Sequence, residues 1–291
     1  MAVIGPNYDA SMTATERPII SFLTDFGLDG AVAACKGVML TICRDAQIID
    51  VAHSIRKFAI RDGAFLLRFA LPYVPVGVHV AVVDPGVGTT RRPIGILAGR
   101  GDVLIGPDNG LLLAAADALG GAVEARELTN RELWLPVTSS TFHGRDIFAP
   151  VAAHLASGDA AFAAVGLRIG TDTLVRLPQP AASVRAGAID TVVTYVDSFG
   201  NLRLAGGRDE LIGAWGMIED GTALDVEFEA AGELRAVNES SRYGTTFGVV
   251  PLGTSLVYVD SLGNLAMADN QGSLAARLGI GHDRVVRITR A

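Results

Sequence analysis

PIISFLTDFGLDGAVAACKGVMLTICRDAQIIDV, residues 18–51, is the stretch whose reading decides the fold. The apolar run from Ile19 to Leu23 reads as a buried strand, and Thr24-Asp25-Phe26-Gly27 reads as the loop that ends it. A helix follows from about Gly30 to Cys43, then a second strand from Gln47 to Val51. Strand, helix and strand in this order are a βαβ unit, the seed of a parallel sheet.

Working outward, residues 1–17 mix Gly, Pro, Asn, Ser and Thr without periodicity and read as a mobile arm. Downstream the alternation continues, with a helix over 59–70, strands at 78–83, 94–97 and 102–105, and helices at 111–119 and 144–156. The helical content is expected to stop after residue 156, and beyond Leu177-Pro178-Gln179-Pro180 the texture changes to short β-rich runs punctuated by Gly, such as 188–196, 223–228 and 254–260. The expected architecture is α/β: residues 18–180 form an α/β domain around a central, mostly parallel sheet, and residues 181–291 form a smaller β-barrel-like domain.

The composition narrows the function classes. Of 291 residues 49% are hydrophobic and 19% charged, which is ample for packed cores. A net charge of -7 without clustered Lys and Arg argues against nucleic acid as a partner. Arg68, Pro72, Pro75 and His79 interrupt the longest apolar stretch, so no membrane span of about 20 residues is expected. No secretory signal is legible, which makes the cytoplasm the expected setting. Cys35 and Cys43 lie about 12 Å apart on one helix, too far to pair, and read as small buried hydrophobes of a reducing compartment.

Gly86-Val87-Gly88-Thr89-Thr90-Arg91 begins like a dinucleotide fingerprint, but Arg stands where the third Gly belongs and a strand is expected next, so a Rossmann cofactor site is disfavoured. No phosphate-binding loop, Cys-x-x-Cys or His-Glu-x-x-His is present. Instead Asp25, Asp84 and Asp108-Asn109 each follow an expected strand, where open α/β sheets bind their ligands. His143, at an expected strand-to-helix transition, is aimed at the same crevice. One reading is a hydrolytic metal site built from Asp25, Asp84, Asp108 and His143; Arg91, close by in sequence, opposes a divalent cation there.

The second half contains an echo: Tyr195-Val-Asp-Ser-Phe-Gly-Asn-Leu202 returns as Tyr258-Val-Asp-Ser-Leu-Gly-Asn-Leu265. Each copy reads as strand, tight turn, strand, with Asp bonding the local backbone and Gly-Asn tolerating positive φ. Such loops on a rigid scaffold commonly bind ligands.

Five landmarks together carry a family resemblance: Ser21-Phe-Leu-Thr-Asp-Phe-Gly27, Val83-Asp-Pro-Gly-Val-Gly-Thr-Thr-Arg-Arg-Pro93, Gly106-Pro-Asp-Asn-Gly-Leu111, Phe142-His-Gly-Arg-Asp146 and the two Asp-Ser-x-Gly-Asn-Leu turns. They resemble the S-adenosylmethionine hydroxide adenosyltransferases, relatives of fluorinase and chlorinase. The resemblance implies hydrolysis of S-adenosylmethionine to adenosine and methionine, no cofactor or metal, and a homotrimer with sites between neighbouring subunits. It assigns Asp84, Arg91 and His143 to the attacking water, Asp25 to the ribose hydroxyls and Asp29 to the methionine ammonium. Phe58 is set against the ligand, Asp197, Phe199 and Asn201 around the adenine, and Ser261 at the methionine carboxylate. Fluorinase carries Tyr in place of Asp84 and Ser in place of Gly144, and an acidic Asp84 would repel halide, so hydrolysis is expected over halogenation; a non-catalytic protein that binds adenosine or S-adenosylmethionine is the other alternative.

Overall fold

The computed structural model describes residues 17–291, so the arm expected over 1–17 lies outside the described residues except for Arg17, whose Nε donates to the Asp45 carbonyl at 3.2 Å. The chain divides into two compact units, the first ending at Leu177 and the second starting at Pro178.

The first unit contains β1 (Ile19–Thr24), α1 (Ala31–Ile42), β2 (Gln47–Ala52), α2 (Ile60–Ala70), β3 (Val78–Val82), β4 (Pro93–Ala98), β5 (Val103–Pro107), α3 (Leu113–Ala118), β6 (Ala122–Glu127), α4 (Ala149–Ser157) and β7 (Leu167–Ile169). Its 7-stranded sheet runs β2-β1-β3-β5-β4-β6-β7. The first four neighbours are mutually parallel, and β4, β6 and β7 join by antiparallel pairing.

Period-two alternation sends the strand residues to two separate cores. On one face Ile20, Phe22, Val80 and Val82 pack with Cys35, Met39, Phe148 and Val151 of the α1 and α4 side. On the other, Leu23, Ala81, Val83 and Leu104 pack with Leu67 and Leu111 of the α2 and α3 side. Because both faces of β3 are covered, all five of its residues are buried, as expected of a central parallel strand.

The second unit contains β8 (Ser183–Arg185), β9 (Ala188–Val196), β10 (Leu202–Gly207), α5 (Arg208–Trp215), β11 (Ala223–Phe228), β12 (Val237–Tyr243), β13 (Ser255–Val259), β14 (Asn264–Asp269), α6 (Leu274–Leu278) and β15 (Val285–Arg290). β10 pairs with both β14 and β9, which closes the sheet into a barrel and leaves β8 appended to β9. Closure removes most of the exposed strand edge that an open sheet would carry. Leu224, Val226 and Phe228 of β11 alternate inward to meet Val286 and Ile288 of β15.

The expectation that helices stop after residue 156 is corrected by α5 and α6. Both are short and bounded by Gly, α5 by Gly207 and Gly216 and α6 by Ser273 and Gly279, so in sequence they resemble turns. Among the described residues no helix is long and apolar enough to cross a membrane. Cys35 and Cys43 are buried free thiols, and burial pushes the Cys35 thiol up to about 12.

Candidate active site

Three adjacent parallel strands, β1, β3 and β5, run out at their carboxyl ends into Asp25, Asp84 and Asp108. Their fates differ. The Asp108 carboxylate is held by the guanidinium of Arg92 and by the backbone N–H of Val175 at 2.9 Å, a structural tie. Asp25 accepts the backbone N–H of Phe58 at 2.9 Å, and Phe58 is an exposed aromatic residue at φ 66. Positive φ is strained for a bulky side chain, and strain of this kind collects at functional sites.

Asp84 alone meets the expected partners. Arg91 grips it with both arms of its fork, Nε to Oδ1 at 3.1 Å and Nη2 to Oδ2. The same Nη2 lies 3.2 Å from Nδ1 of His143. Since a guanidinium can only donate, His143 accepts at Nδ1 and its neutral ring carries the proton on Nε2. The third arm, Nη1, is buried and has no partner. A buried charged donor without a partner is costly, and an oxygen that accepted from Nη1 would offset that cost. The Arg91 guanidinium also sits 5.4 Å above the ring of Phe148, which is fully buried.

Burial holds the His143 ring below its ordinary value, and the Arg91 charge lowers it further against the opposing pull of Asp84 and Asp146. Neutral imidazole is therefore the favoured form. His143 is followed by a π-turn, Gly144–Phe148, before α4 begins. The strand expected ahead of His143 is absent: residues 131–133 form a short 3-10 turn and the segment up to Phe142 is loop. A π-turn of this sort is common at functional sites.

Asp29 and Ser261 are exposed, Asp29 in the loop before α1 and Ser261 in the second echo turn. In the first echo turn Asp197 accepts the N–H groups of Phe199 and Asn201, both at 2.9 Å, and also the side-chain amide of Asn201. Asp197 thus builds the turn, while Phe199 projects with 75% exposure. Asp260 repeats the pattern with Leu262 and Asn264 and adds an ion pair to Arg203. Gly200 and Gly263 adopt φ 83 and 84, conformations open to glycine.

A supporting relay was not read from the sequence. Lys36 donates to Asp50 at 2.6 Å, Asp50 meets His53 Nε2 at 2.9 Å, and His53 Nδ1 meets the buried Thr24 hydroxyl at 2.9 Å. It fixes the loop that carries Asp25. The available signal was Asp50, a polar residue in an apolar strand three positions before a histidine. The carboxylates and imidazole proposed as a metal set do not converge: among the described residues no three His, Cys, Asp or Glu side chains gather as one.

Comparison with known proteins fits this geometry. Residues 20–166 match the family described as SAM hydroxide adenosyltransferase N-terminal domain, and 191–287 match its C-terminal domain. A Salinispora tropica protein named (R)-S-adenosyl-L-methionine hydrolase is 47% identical over 274 residues, 94% of this chain and 98% of that protein. A fluorinase from Actinopolyspora mzabensis is 31% identical over 301 residues, covering 94% of this chain and 98% of its own. The crystal structure of an uncharacterized conserved protein from Thermotoga maritima superposes with a TM-score of 0.82 at 34% identity, over 93% of this chain and 100% of that one.

Proposed function

The chain belongs to the SAM hydroxide adenosyltransferase family, and from that membership we propose that it is an enzyme that hydrolyses S-adenosyl-L-methionine to adenosine and L-methionine. The observation that carries the reading is the unpartnered Nη1 of Arg91, a buried cationic donor beside Asp84 and His143. It suits a water molecule that becomes more anionic as it reacts.

In the proposed reaction the water oxygen attacks C5′ of the ribose and the C5′–S bond breaks, its electron pair going to sulfur. The sulfonium thereby becomes the neutral thioether of methionine and needs no acid. Arg91 holds the water through Nη1, and the neutral His143 orients it as an Nε2–H donor. Asp84 takes the proton released as the C–O bond forms. Most of the rate then comes from an aligned nucleophile at about 3 Å from the carbon. The substrate itself carries the leaving group, so the proposal includes no cofactor or metal.

Asp25 is assigned to the ribose hydroxyls, Asp29 to the methionine ammonium, Phe58 to the face of the ligand, and Phe199 and Asn201 to the adenine. Asp197 holds that turn, and Ser261 is assigned to the methionine carboxylate. Completion of each site by a neighbouring copy in a homotrimer is part of the proposal. Phe58 and Phe199, 67% and 75% exposed, are the aromatic faces that such a neighbour would cover. The buried free thiols favour a cytoplasmic setting.

The test is incubation of the purified protein with S-adenosylmethionine in halide-free buffer containing chelator, followed by chromatography. Equal release of adenosine and methionine is expected. Activity that returns only with a divalent ion, or adenosine binding without turnover, would overturn the reading.

A further inference from the structure

Three residues beyond His143, Asp146 is a fully buried carboxylate that touches none of Asp84, Arg91 or His143 by hydrogen bond. One oxygen accepts the backbone N–H of Ser139 at 2.7 Å, and the Arg145 guanidinium binds from outside at 2.6 and 3.1 Å. Its own backbone accepts from Leu135 N–H and donates to the Phe142 carbonyl. Three of these contacts, to Leu135, Ser139 and Phe142, tie Asp146 along the loop that delivers His143. Burying a carboxylate costs several kcal/mol unless it is paired and hydrogen-bonded, so its placement here calls for a reason.

The reason lies in what that loop presses against. The carbonyl of Ser140 abuts Gly88, where an added Cβ would overlap it, and Gly88 adopts φ +76. Gly88 belongs to the turn that carries Asp84 at one end and Arg91 at the other, braced by the Thr89 hydroxyl on the Gly86 carbonyl at 2.7 Å. Arg145 also stacks 4.8 Å over Phe142, whose ring meets Phe26 edge-on at 5.7 Å, next to Asp25. The Arg91 to His143 contact of 3.2 Å is at the long limit for a hydrogen bond, so a small shift of either loop breaks it.

We infer that Asp146 is a positioning residue: through Ser139 it seats the 139–142 loop on Gly88 and so fixes His143 against Arg91. The inference rests on the assignment of Asp84, Arg91 and His143 to the attacking water. Asp146 acts on the geometry of the reaction and not on binding of the nucleoside.

The experiment compares wild type, Asp146→Asn, Asp146→Ala and Gly88→Ala. It measures kcat and KM for S-adenosylmethionine and the nitrogen-15 shifts of the His143 ring. Asp146→Ala is expected to lose about tenfold or more in kcat with KM changed by less than about threefold, the pattern of an interaction made in the transition state. Asp146→Asn restores most of that loss, because its amide oxygen can still accept the Ser139 N–H. Gly88→Ala reproduces the loss from the other side of the contact, which keeps the test decisive even where Asp146→Ala does not fold. In both damaged variants the His143 ring loses its preference for the Nε2-protonated form. Values of kcat within about twofold of wild type in the folded variants would overturn the inference, as would an unchanged ring signal. Absence of hydrolysis by the wild type would sink the functional reading instead, and the ring signal would still decide this one.

Discussion

The mixed sheet of the first unit carries two clusters of Asp, Arg and His at opposite ends of β3, and they are finished differently. At its start His79 joins the Ser21 hydroxyl at 2.8 Å and Asp102 at 2.8 Å, and Asp102 takes Arg100 at 2.7 and 2.8 Å. Arg100 spends its remaining donors on the carbonyls of Leu71, Pro72 and Val74. Ser21, His79 and Asp102 are at most 1% exposed. Past the carboxyl end of β3, Asp84, Arg91 and His143 use the same residue types but leave Arg91 Nη1 without a partner. Residue identity therefore does not tell the two clusters apart; the unmade bond of Arg91 Nη1 does. The Ser21–His79–Asp102 chain looks like a nucleophilic triad and, being sealed and fully satisfied, acts as a clamp between β1, β3 and the start of β5.

The strongest way to break this comparison is to disable each cluster in turn. Arg91→Ala is expected to lower turnover about a thousandfold, roughly 4 kcal/mol of barrier, while adenosine binding is largely kept. His143→Ala should follow the same pattern. Calorimetric loss of adenosine binding in both folded variants would refute the assignment of roles.

Asp102→Ala is expected to do the reverse. Removing the carboxylate strands the His79 and Arg100 donors in the interior, a loss of about 3 kcal/mol of stability in urea unfolding. The kcat of the molecules that remain folded should stay at the wild-type level. A drop in kcat at unchanged stability would mean that the buried cluster also participates in chemistry.

Acid sharpens the contrast. Burial pushes the Asp102 carboxyl up, but the hydrogen bonds and charges of Arg100 and His79 more than offset it and hold it at about 2, against an ordinary 3.8. A group depressed in the folded state contributes stability above its unfolded value and loses it as pH falls through the folded one. Asp102 should thus contribute about 2 kcal/mol at neutral pH, fading between pH 3.8 and about 2. Activity should fail separately, on an acid limb below pH 6.5 where His143 becomes protonated and can no longer accept from Arg91. Activity and fold lost together on a single acid limb would erase the distinction.

The sequence makes the backbone of this arrangement legible wherever apolar periodicity is strong. The opening βαβ unit, the buried β3 and the landmarks around Asp84, Arg91 and His143 all stand out from local pattern. β6 does not, because only Ala125 of its six residues is fully buried, while Glu124 and Arg126 form a half-buried pair with each other. α5 and α6 hide behind their bounding glycines. His79 in β3 and Asp102, just ahead of β5, lie 23 positions apart, so their pairing depends on sheet order that no local spacing records. The segment ahead of His143 is loop where a strand is expected, because its backbone is held by Asp146, a contact from downstream.

The smallest expected effect concerns the two echo turns, which raise the same question in the barrel. Both are built alike, yet the Asn201 amide nitrogen sits 2.9 Å from Asp197, whereas the Asn264 side-chain amide makes only contacts of 3.3 and 3.4 Å to Asp260, which also pairs with the Arg203 side chain. One turn presents an ordered amide beside the exposed Phe199, and in the other the carboxylate is turned toward Arg203. Asn201→Ala should therefore weaken adenosine binding about tenfold, the worth of one hydrogen bond to a ligand, before chemistry is affected. Asn264→Ala should leave that affinity within about twofold, because the turn itself is held by backbone N–H groups on the Asp carboxylate. Calorimetry of both variants separates the cases. Equal losses would mean that the turns act together as scaffold, and that the adenine is not recognised by Asn201.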